Sequence, residues 1–128
     1  MDPISNMIIG IKNAGNSGRD SLTVPYSKIK ESIAEVLKKE GFIKDAEKKM
    51  VGQRAVLSID LYMENRVPKI KGVQRLSKTS KRVYKKSAEL RPVKNGYGAL
   101  VISTPKGVMS GRDARKEKLG GEVLFSIW

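Results

Sequence analysis

Apolar residues recur along this chain at two spacings, and the change from one to the other divides its first half into elements. Ile4, Met7, Ile8 and Ile11 stand at i, i+3, i+4 and i+7, the stripe of an amphipathic helix. Asp2 and Pro3 precede it as a side-chain acceptor at the N-cap and a proline at the first helical position. The breakers Asn13, Gly15, Asn16 and Gly18 predict a stop near Ala14. Residues 21–25 read as a short strand closed by Pro25. Ser27 predicts the cap of a second helix, with Ile29, Ile33, Val36 and Leu37 on its buried face and Gly41 as its stop. Strict alternation follows: Ala55, Leu57, Ile59 and Leu61 against Ser58 and Asp60, the pattern of a half-buried strand over residues 53–63. A turn around residues 49–52 pairs that strand with residues 42–47. The first half thus reads α-β-α-β-β.

The second half is less periodic. Pro68 and the lack of an apolar pattern over residues 64–69 place a module boundary between residues 65 and 66. Ile70, Gly72 and Val73 suit a strand, but residues 75–94 form a long basic segment with little periodicity, and a loop of that length is usually functional or disordered. Asn95-Gly96 signals a turn before a short apolar strand, residues 99–102. Ser110 and Asp113 predict a capped helix over residues 111–119, stopped by Gly120-Gly121. In residues 122–128, Val123, Phe125 and Ile127 alternate with Leu124, Ser126 and Trp128, as in a strand covered on both faces. The fold class is α/β (α+β) in two small modules: residues 1–65, α-β-α-β-β, and residues 66–128, mostly β with one short helix.

Charge sharpens this division. Residues 1–65 hold 10 Lys+Arg against 9 Asp+Glu, whereas residues 66–128 hold 16 against 4, so the overall net charge of +13 lies almost wholly in the second half. An unpaired basic field works against compactness through self-repulsion, and a polyanionic partner, above all a phosphate backbone, accounts for it. Among 128 residues there is no cysteine and no histidine. Their absence excludes disulfides, thiolate and imidazole metal ligands, and the Ser-His and Cys-His nucleophile pairs. The apolar run over residues 4–11 is not read as a signal sequence, because Asp2 stands where a positive charge belongs. No stretch approaches the roughly 18 apolar residues of a membrane span. The expectation is a soluble, cytoplasmic, non-catalytic binding protein without a cofactor or metal.

Candidate binding residues cluster accordingly. Arg75, Lys78, Lys81, Arg82, Lys85, Lys86, Arg91 and Lys94 surround one aromatic residue, Tyr84, and no acidic residue intervenes before Glu89. Cations release counterions from phosphates and a tyrosine ring stacks on a base or donates its hydroxyl; the plainer reading is a solvated lysine-rich loop. Ser103-Thr104-Pro105-Lys106-Gly107 leaves an apolar strand toward a helix and offers two hydroxyls, a lysine and a glycine. It lacks the spacing of a phosphate loop, and taken alone it reads as a turn. Gly96-Tyr97-Gly98 also reads as a turn. Glu122 either anchors a neighbouring cation or accepts from a base edge or a ribose 2′-hydroxyl. Asn13 at a helix end and Lys30 on the polar face of the second helix read first as capping and solvation.

Together these segments resemble one family, bacterial small-subunit ribosomal protein eight, over essentially the whole chain. The resemblance runs through Asp2-Pro3-Ile4, Ile11-Lys12-Asn13-Ala14, Val24-Pro25-Tyr26-Ser27-Lys28-Ile29-Lys30 and Glu40-Gly41-Phe42-Ile43. It continues in Gly72-Val73-Gln74-Arg75-Leu76-Ser77, Arg82-Val83-Tyr84, Asn95-Gly96-Tyr97-Gly98, Ser103-Thr104-Pro105-Lys106-Gly107-Val108-Met109 and Gly120-Gly121-Glu122-Val123-Leu124. It implies a two-module protein of the small ribosomal subunit that binds the central domain of the small-subunit ribosomal RNA. The RNA feature implied is an irregular helix entered through its minor groove. Implied contacts fall on Ser103, Thr104, Lys106, Gly107, Tyr84 and Glu122, with the basic residues on the backbone and Asn13 and Lys30 as a second, lesser contact. Implied partners are ribosomal protein five and the chain's own messenger RNA. The family loop usually reads Ser-Thr-Ser, and here Pro105 takes the third place, removing a hydroxyl and an N–H. Residue 105 is therefore expected to pack, leaving Ser103 and Thr104 as donors. Two rival readings use the same residues: a general architectural nucleic-acid binder, and an enzyme on a phosphorylated substrate with Lys106 and Glu122 in a cleft.

Overall fold

Helix ends set the frame of each unit, and among the described residues the three α-helices end in the same way. The structure, a computed structural model, describes residues 3–64, 67, 68 and 70–128. Asp2 and the boundary expected between residues 65 and 66 lie outside the described residues. The described chain falls into two compact units, Pro3–Lys71 and Gly72–Trp128.

In the first unit, helix α1 (Pro3–Asn16) buries Ile4, Met7, Ile8, Ile11 and Ala14. It runs past Ala14 because its left-handed terminating residue is Gly18, at φ 77, while Gly15 is buried within the helix. Arg19 N–H donates to Ala14 carbonyl at 2.9 Å and Gly18 N–H to Gly15 carbonyl at 3.1 Å, the paired bonds of a Schellman cap. Strand β1 (Ser21–Pro25) leads to helix α2 (Lys28–Lys39), whose N-cap Ser27 accepts from Lys30 N–H at 3.3 Å. Gly41, at φ 81, closes α2 with the same pair of bonds, Phe42 to Leu37 at 2.8 Å and Gly41 to Lys38 at 3.0 Å.

The buried stripe of α2 is Lys30, Ile33, Ala34, Val36 and Leu37, whereas Ile29 is 42% exposed. The expected stripe was therefore off by one residue at its start, and Lys30 leaves the polar face for the buried one. Strands β2 (Ile43–Val51) and β3 (Arg54–Leu61) form a hairpin across Gly52 at φ 64, and the sheet order is β1-β3-β2, antiparallel throughout. The alternation read in β3 holds: Leu57, Ile59 and Leu61 are buried with Ile8, Ile11, Ile33 and Leu37. A short antiparallel pair, β4 (Met63–Glu64) and β5 (Val67–Pro68), completes this unit.

The second unit is built on β6 (Val73–Arg75), β7 (Tyr84–Lys85), β8 (Ala99–Thr104), β9 (Gly107–Ser110), helix α3 (Gly111–Lys116) and β10 (Gly121–Ile127). Its sheet has the order β6-β10-β8-β9, and β7 also pairs with β10. Residues 75–94, read from the sequence as a long basic segment of the length of a functional or disordered loop, hold the end of β6, a bridge between Lys78 and Lys81, strand β7, a 3₁₀ turn at Ser87–Glu89 and the start of another at Lys94–Gly96. Strand β9 was also missed, because residues 107–110 show no alternation strong enough to distinguish them from the approach to a helix.

Helix α3 ends at Lys116, earlier than expected. Lys118 takes the left-handed position at φ 59, and Leu119 N–H donates to Ala114 carbonyl at 2.8 Å. Gly120-Gly121 is thus not the helix stop. Ala114 of α3 joins Leu90, Ile102 and Val123 in a small core.

A β-bulge in β10 alters the last strand. Val123 pairs with Ile102, but Phe125 pairs with Val101, so one extra residue sits between them. Val123 and Phe125 consequently lie on opposite faces, where simple alternation had put them together. Leu124 carbonyl, at the bulge, accepts from Leu76 N–H at 3.1 Å, from Ser77 N–H at 3.3 Å and from the Arg75 guanidinium.

Candidate nucleic-acid interface

Cross-strand register brings three of the expected site residues into one row. Glu122 on β10 pairs with Tyr84 on β7 and with Ser103 on β8, and directly paired residues present their side chains to the same face of a sheet. Two glycines make this spacing possible. A Cβ at Gly121 would fall 2.0 Å from Ser103 carbonyl oxygen, and one at Gly120 would fall 2.6 Å from that of Lys85. Backbone occupies both positions, so Gly120-Gly121 serves close strand approach rather than helix termination.

Glu122 is held at the centre of the row. Its Oε2 accepts from the Ser77 hydroxyl and from Arg82 at 3.1 Å, and its side chain is 18% exposed. Burial alone raises its pKa; the hydrogen bonds from Ser77 and Arg82 and the charges of Arg82 and Arg75 together outweigh that, and its carboxyl lies below the ordinary value. The cation-anchoring reading of Glu122 is therefore present in the geometry. Ser77 is fully buried and also accepts from Val83 N–H at 3.2 Å, which ties the turn between Lys78 and Lys81 to the row. Sequence reasoning passed over Ser77, because a lone hydroxyl has no periodic signal and its partner lies 45 residues away.

The segment from Ser103 to Gly107 is the tip of the β8–β9 hairpin, not an exit toward a helix, since Thr104 pairs with Gly107. Pro105 is exposed and does not pack as expected. Neither Pro105 nor Lys106 has a positive φ, and a proline's fixed φ suits the first central position of such a turn; Gly107, at φ 120, supplies the positive φ that restarts the strand. Thr104 is buried; its hydroxyl donates to Gly107 carbonyl at 2.8 Å and accepts from Lys106 N–H at 3.2 Å. Its one proton is spent inside the turn. Ser103 differs: among the described residues nothing accepts from its hydroxyl, and the same holds for Tyr84, which is 68% exposed.

Lys78, Lys81, Arg82, Lys85 and Lys86 are exposed around this row, and Lys106 and Gly107 are exposed at the hairpin tip. Arg75 is half-buried, with its guanidinium on Leu124 carbonyl. An open depression of about 560 Å³ beside the row is lined by Tyr84, Lys85, Lys86, Lys118, Gly120 and Gly121, with Ser87 and Glu89. Lys118 is a further basic residue that the charge run did not single out. Asn13 and Lys30 belong to the other unit. Asn13 is exposed near the end of α1, whereas Lys30 is buried and its Nζ donates to Pro25 carbonyl at 3.2 Å. Among the described residues no group of Asp and Glu is placed to hold a metal ion, and no helix is long and apolar enough to cross a membrane.

Comparison with known proteins agrees with the resemblance read from the sequence. The model of the family described as ribosomal protein S8 matches residues 2–128. The chain is 45% identical over 132 residues to the small ribosomal subunit protein uS8 of Salinispora arenicola, covering 99% of this chain and 97% of that one. It is 43% identical to the proteins of the same name from Persephonella marina, over 133 residues, and Caldicellulosiruptor bescii, over 129 residues. Those alignments cover 99% and 100% of this chain and 98% of each relative. By a match of this extent the protein belongs to the ribosomal protein S8 family, a family of structural, non-enzymatic proteins.

Proposed function

We propose that this ribosomal protein works in the cytoplasmic small ribosomal subunit, where it binds the central domain of the small-subunit ribosomal RNA and helps the subunit assemble. The RNA element is an irregular helix entered through its minor groove. The observation that supports this most is the row Tyr84–Glu122–Ser103, a fixed line of polar groups ringed by exposed cations. The Ser103 and Tyr84 hydroxyls meet base edges or ribose 2′-hydroxyls, which a minor groove exposes in RNA. Glu122, fixed by Ser77 and Arg82, accepts from the same strand. Thr104 and Pro105 shape the hairpin tip, and Lys106 and Gly107 approach the backbone from it. Lys78, Lys81, Arg82, Lys85 and Lys86 supply attraction to phosphates, while Arg75 acts through the bulge at Leu124. Asn13 and Lys30 form a second, lesser contact, Lys30 by fixing the Pro25 corner. Ribosomal protein five is the proposed protein neighbour, and the chain's own messenger RNA is a second RNA ligand.

The test is a titration of the full chain with a short fragment of the central-domain helix, beside a regular RNA duplex and a DNA duplex of equal length, from low to physiological salt. Specific recognition predicts that the ribosomal fragment alone stays tight as salt rises. If all three weaken along one slope, the protein is a general polyanion binder and the row has no reading function.

A further inference from the structure

A second exposed tyrosine of the basic unit lies away from the row. Strand β8 rises about 3.3 Å per residue, so its two ends are about 17 Å apart. The row sits at the Ser103 end, while Tyr97 precedes the Ala99 end. Tyr97 is 87% exposed, more open than Tyr84. A ring so exposed contributes little to the core.

The backbone beneath Tyr97 is nevertheless firmly held. Gly96 and Gly98 N–H groups both donate to Val93 carbonyl at 3.0 Å, and Tyr97 N–H donates to Lys94 carbonyl at 3.1 Å. Lys94 takes a left-handed φ of 48, where a side chain is strained, and Gly96 follows at φ 94. A Cβ at Gly98 would fall 2.6 Å from Ile127 carbonyl oxygen, so the turn is seated directly on the end of β10. Trp128 completes the platform: Lys94 Nζ stands 4.7 Å from its ring centroid, and a Cβ at Gly72 would fall 2.5 Å from the same ring. Gly72 and Trp128 are also joined by two backbone hydrogen bonds, at 3.1 and 3.0 Å.

The geometry points to a second nucleic-acid contact at this turn: Tyr97 stacks on an unpaired base of a single-stranded RNA segment, and Lys94 meets the adjoining phosphate. A stiff turn that displays an exposed ring, with a cation three residues earlier in the same turn, suits a stacking platform, and stacking asks for an unpaired base of any identity. Charge complementarity favours RNA over a protein surface, since the nearest charged residues in the chain, Arg91 and Lys94, are both basic. The inference rests on the RNA-binding role proposed above and extends it to a strand other than the helix read at the row.

Trp128 is the chain's single tryptophan, so its fluorescence reports on this turn. The full chain is titrated with a short oligoadenylate and, separately, with the ribosomal helix fragment. Oligoadenylate should change the emission of Trp128, and Tyr97→Ala should weaken its binding roughly tenfold, the scale of one lost base stack. Tyr97→Phe should bind like the parent, because the ring and not the hydroxyl makes the contact. Tyr84→Ala should leave the Trp128 response intact while weakening the helix fragment. Oligoadenylate binding indifferent to Tyr97→Ala, or an unmoved Trp128 emission, overturns the inference, as does a Tyr97→Ala defect seen only with a protein partner. Loss of specificity for the helix fragment counts against the row and is read in its own titration.

Discussion

The two units of this chain rest on contacts of different range. In Pro3–Lys71 the core is made by residues whose roles follow from their immediate neighbours: a stripe on each helix, an alternating strand and a glycine after each helix. In Gly72–Trp128 the bonds that fix the candidate interface join residues 40, 45 and 49 apart: Arg82 to Glu122, Ser77 to Glu122 and Arg75 to Leu124. The difference goes with charge. Pro3–Lys71, with 13 Lys+Arg against 8 Asp+Glu, is stabilised by burial along regular elements, whereas Gly72–Trp128, with 13 against 4, displays its cations on loops held by individual polar bonds.

The strongest way to break this comparison is Gly121→Ala. The added methyl would meet Ser103 and Thr104 backbone, which has no flexible end to give way, and a cost of about 3 kcal/mol is expected. Hydrogen exchange should show the amides of Gly72–Trp128 losing protection while those of Pro3–Lys71 keep theirs. Equal loss in both would make the chain one cooperative body. Ser77→Ala comes next, at about 2 kcal/mol, because Glu122 loses a donor and Val83 N–H loses its acceptor. Denaturation midpoints measure it, and an unchanged midpoint would remove Ser77 from the scaffold of the row.

Acid should act on the same carboxylate. Glu122 titrates below its ordinary 4.5 when folded, so the fold favours the ionised form. That contribution is complete above about pH 4.5 and is lost as pH falls through the lower folded value. Glu122→Gln should flatten the acid limb of the second unit's stability curve; an unaltered limb would show that another group controls it. The smallest effect is Lys118→Gly. Relief of the left-handed strain at φ 59 should stabilise α3 by about 0.5–1 kcal/mol, visible as a raised midpoint, and a fall would mean that Lys118 makes contacts worth more than its strain.

Legibility in the sequence follows the same division. The stripes of α1 and α2, the cap at Ser27 and the alternation of β3 are local patterns and were read correctly, save for the swap of Ile29 and Lys30. The apolar strands β8 and β10 and the cap at Ser110 were also legible. The order within residues 75–94 was not, because it depends on Ser77 and Glu122 meeting across 45 residues. Nor was the bulge at Leu124, since an extra residue is visible only against a partner strand. Gly120-Gly121 looked like a helix stop because sequence cannot separate a glycine needed for φ from one needed for closeness. Of the candidate interface, Tyr84, Ser103 and Glu122 were named from the sequence, but not that they share one row. Nor did sequence distinguish the spent hydroxyl of Thr104 from that of Ser103, a distinction set by the turn geometry.

The central claim is that the row reads RNA shape while the surrounding cations supply attraction. Its most direct test compares Ser103→Ala with Lys85→Ala, each bound to the ribosomal helix fragment and to a regular RNA duplex across a range of salt. Ser103→Ala should cost about 1–3 kcal/mol on the fragment, spare the duplex and leave the salt slope unchanged. Lys85→Ala should weaken both RNAs alike and lower the slope by about 1. If Ser103→Ala weakens fragment and duplex equally, the row contributes no recognition and the account is contradicted.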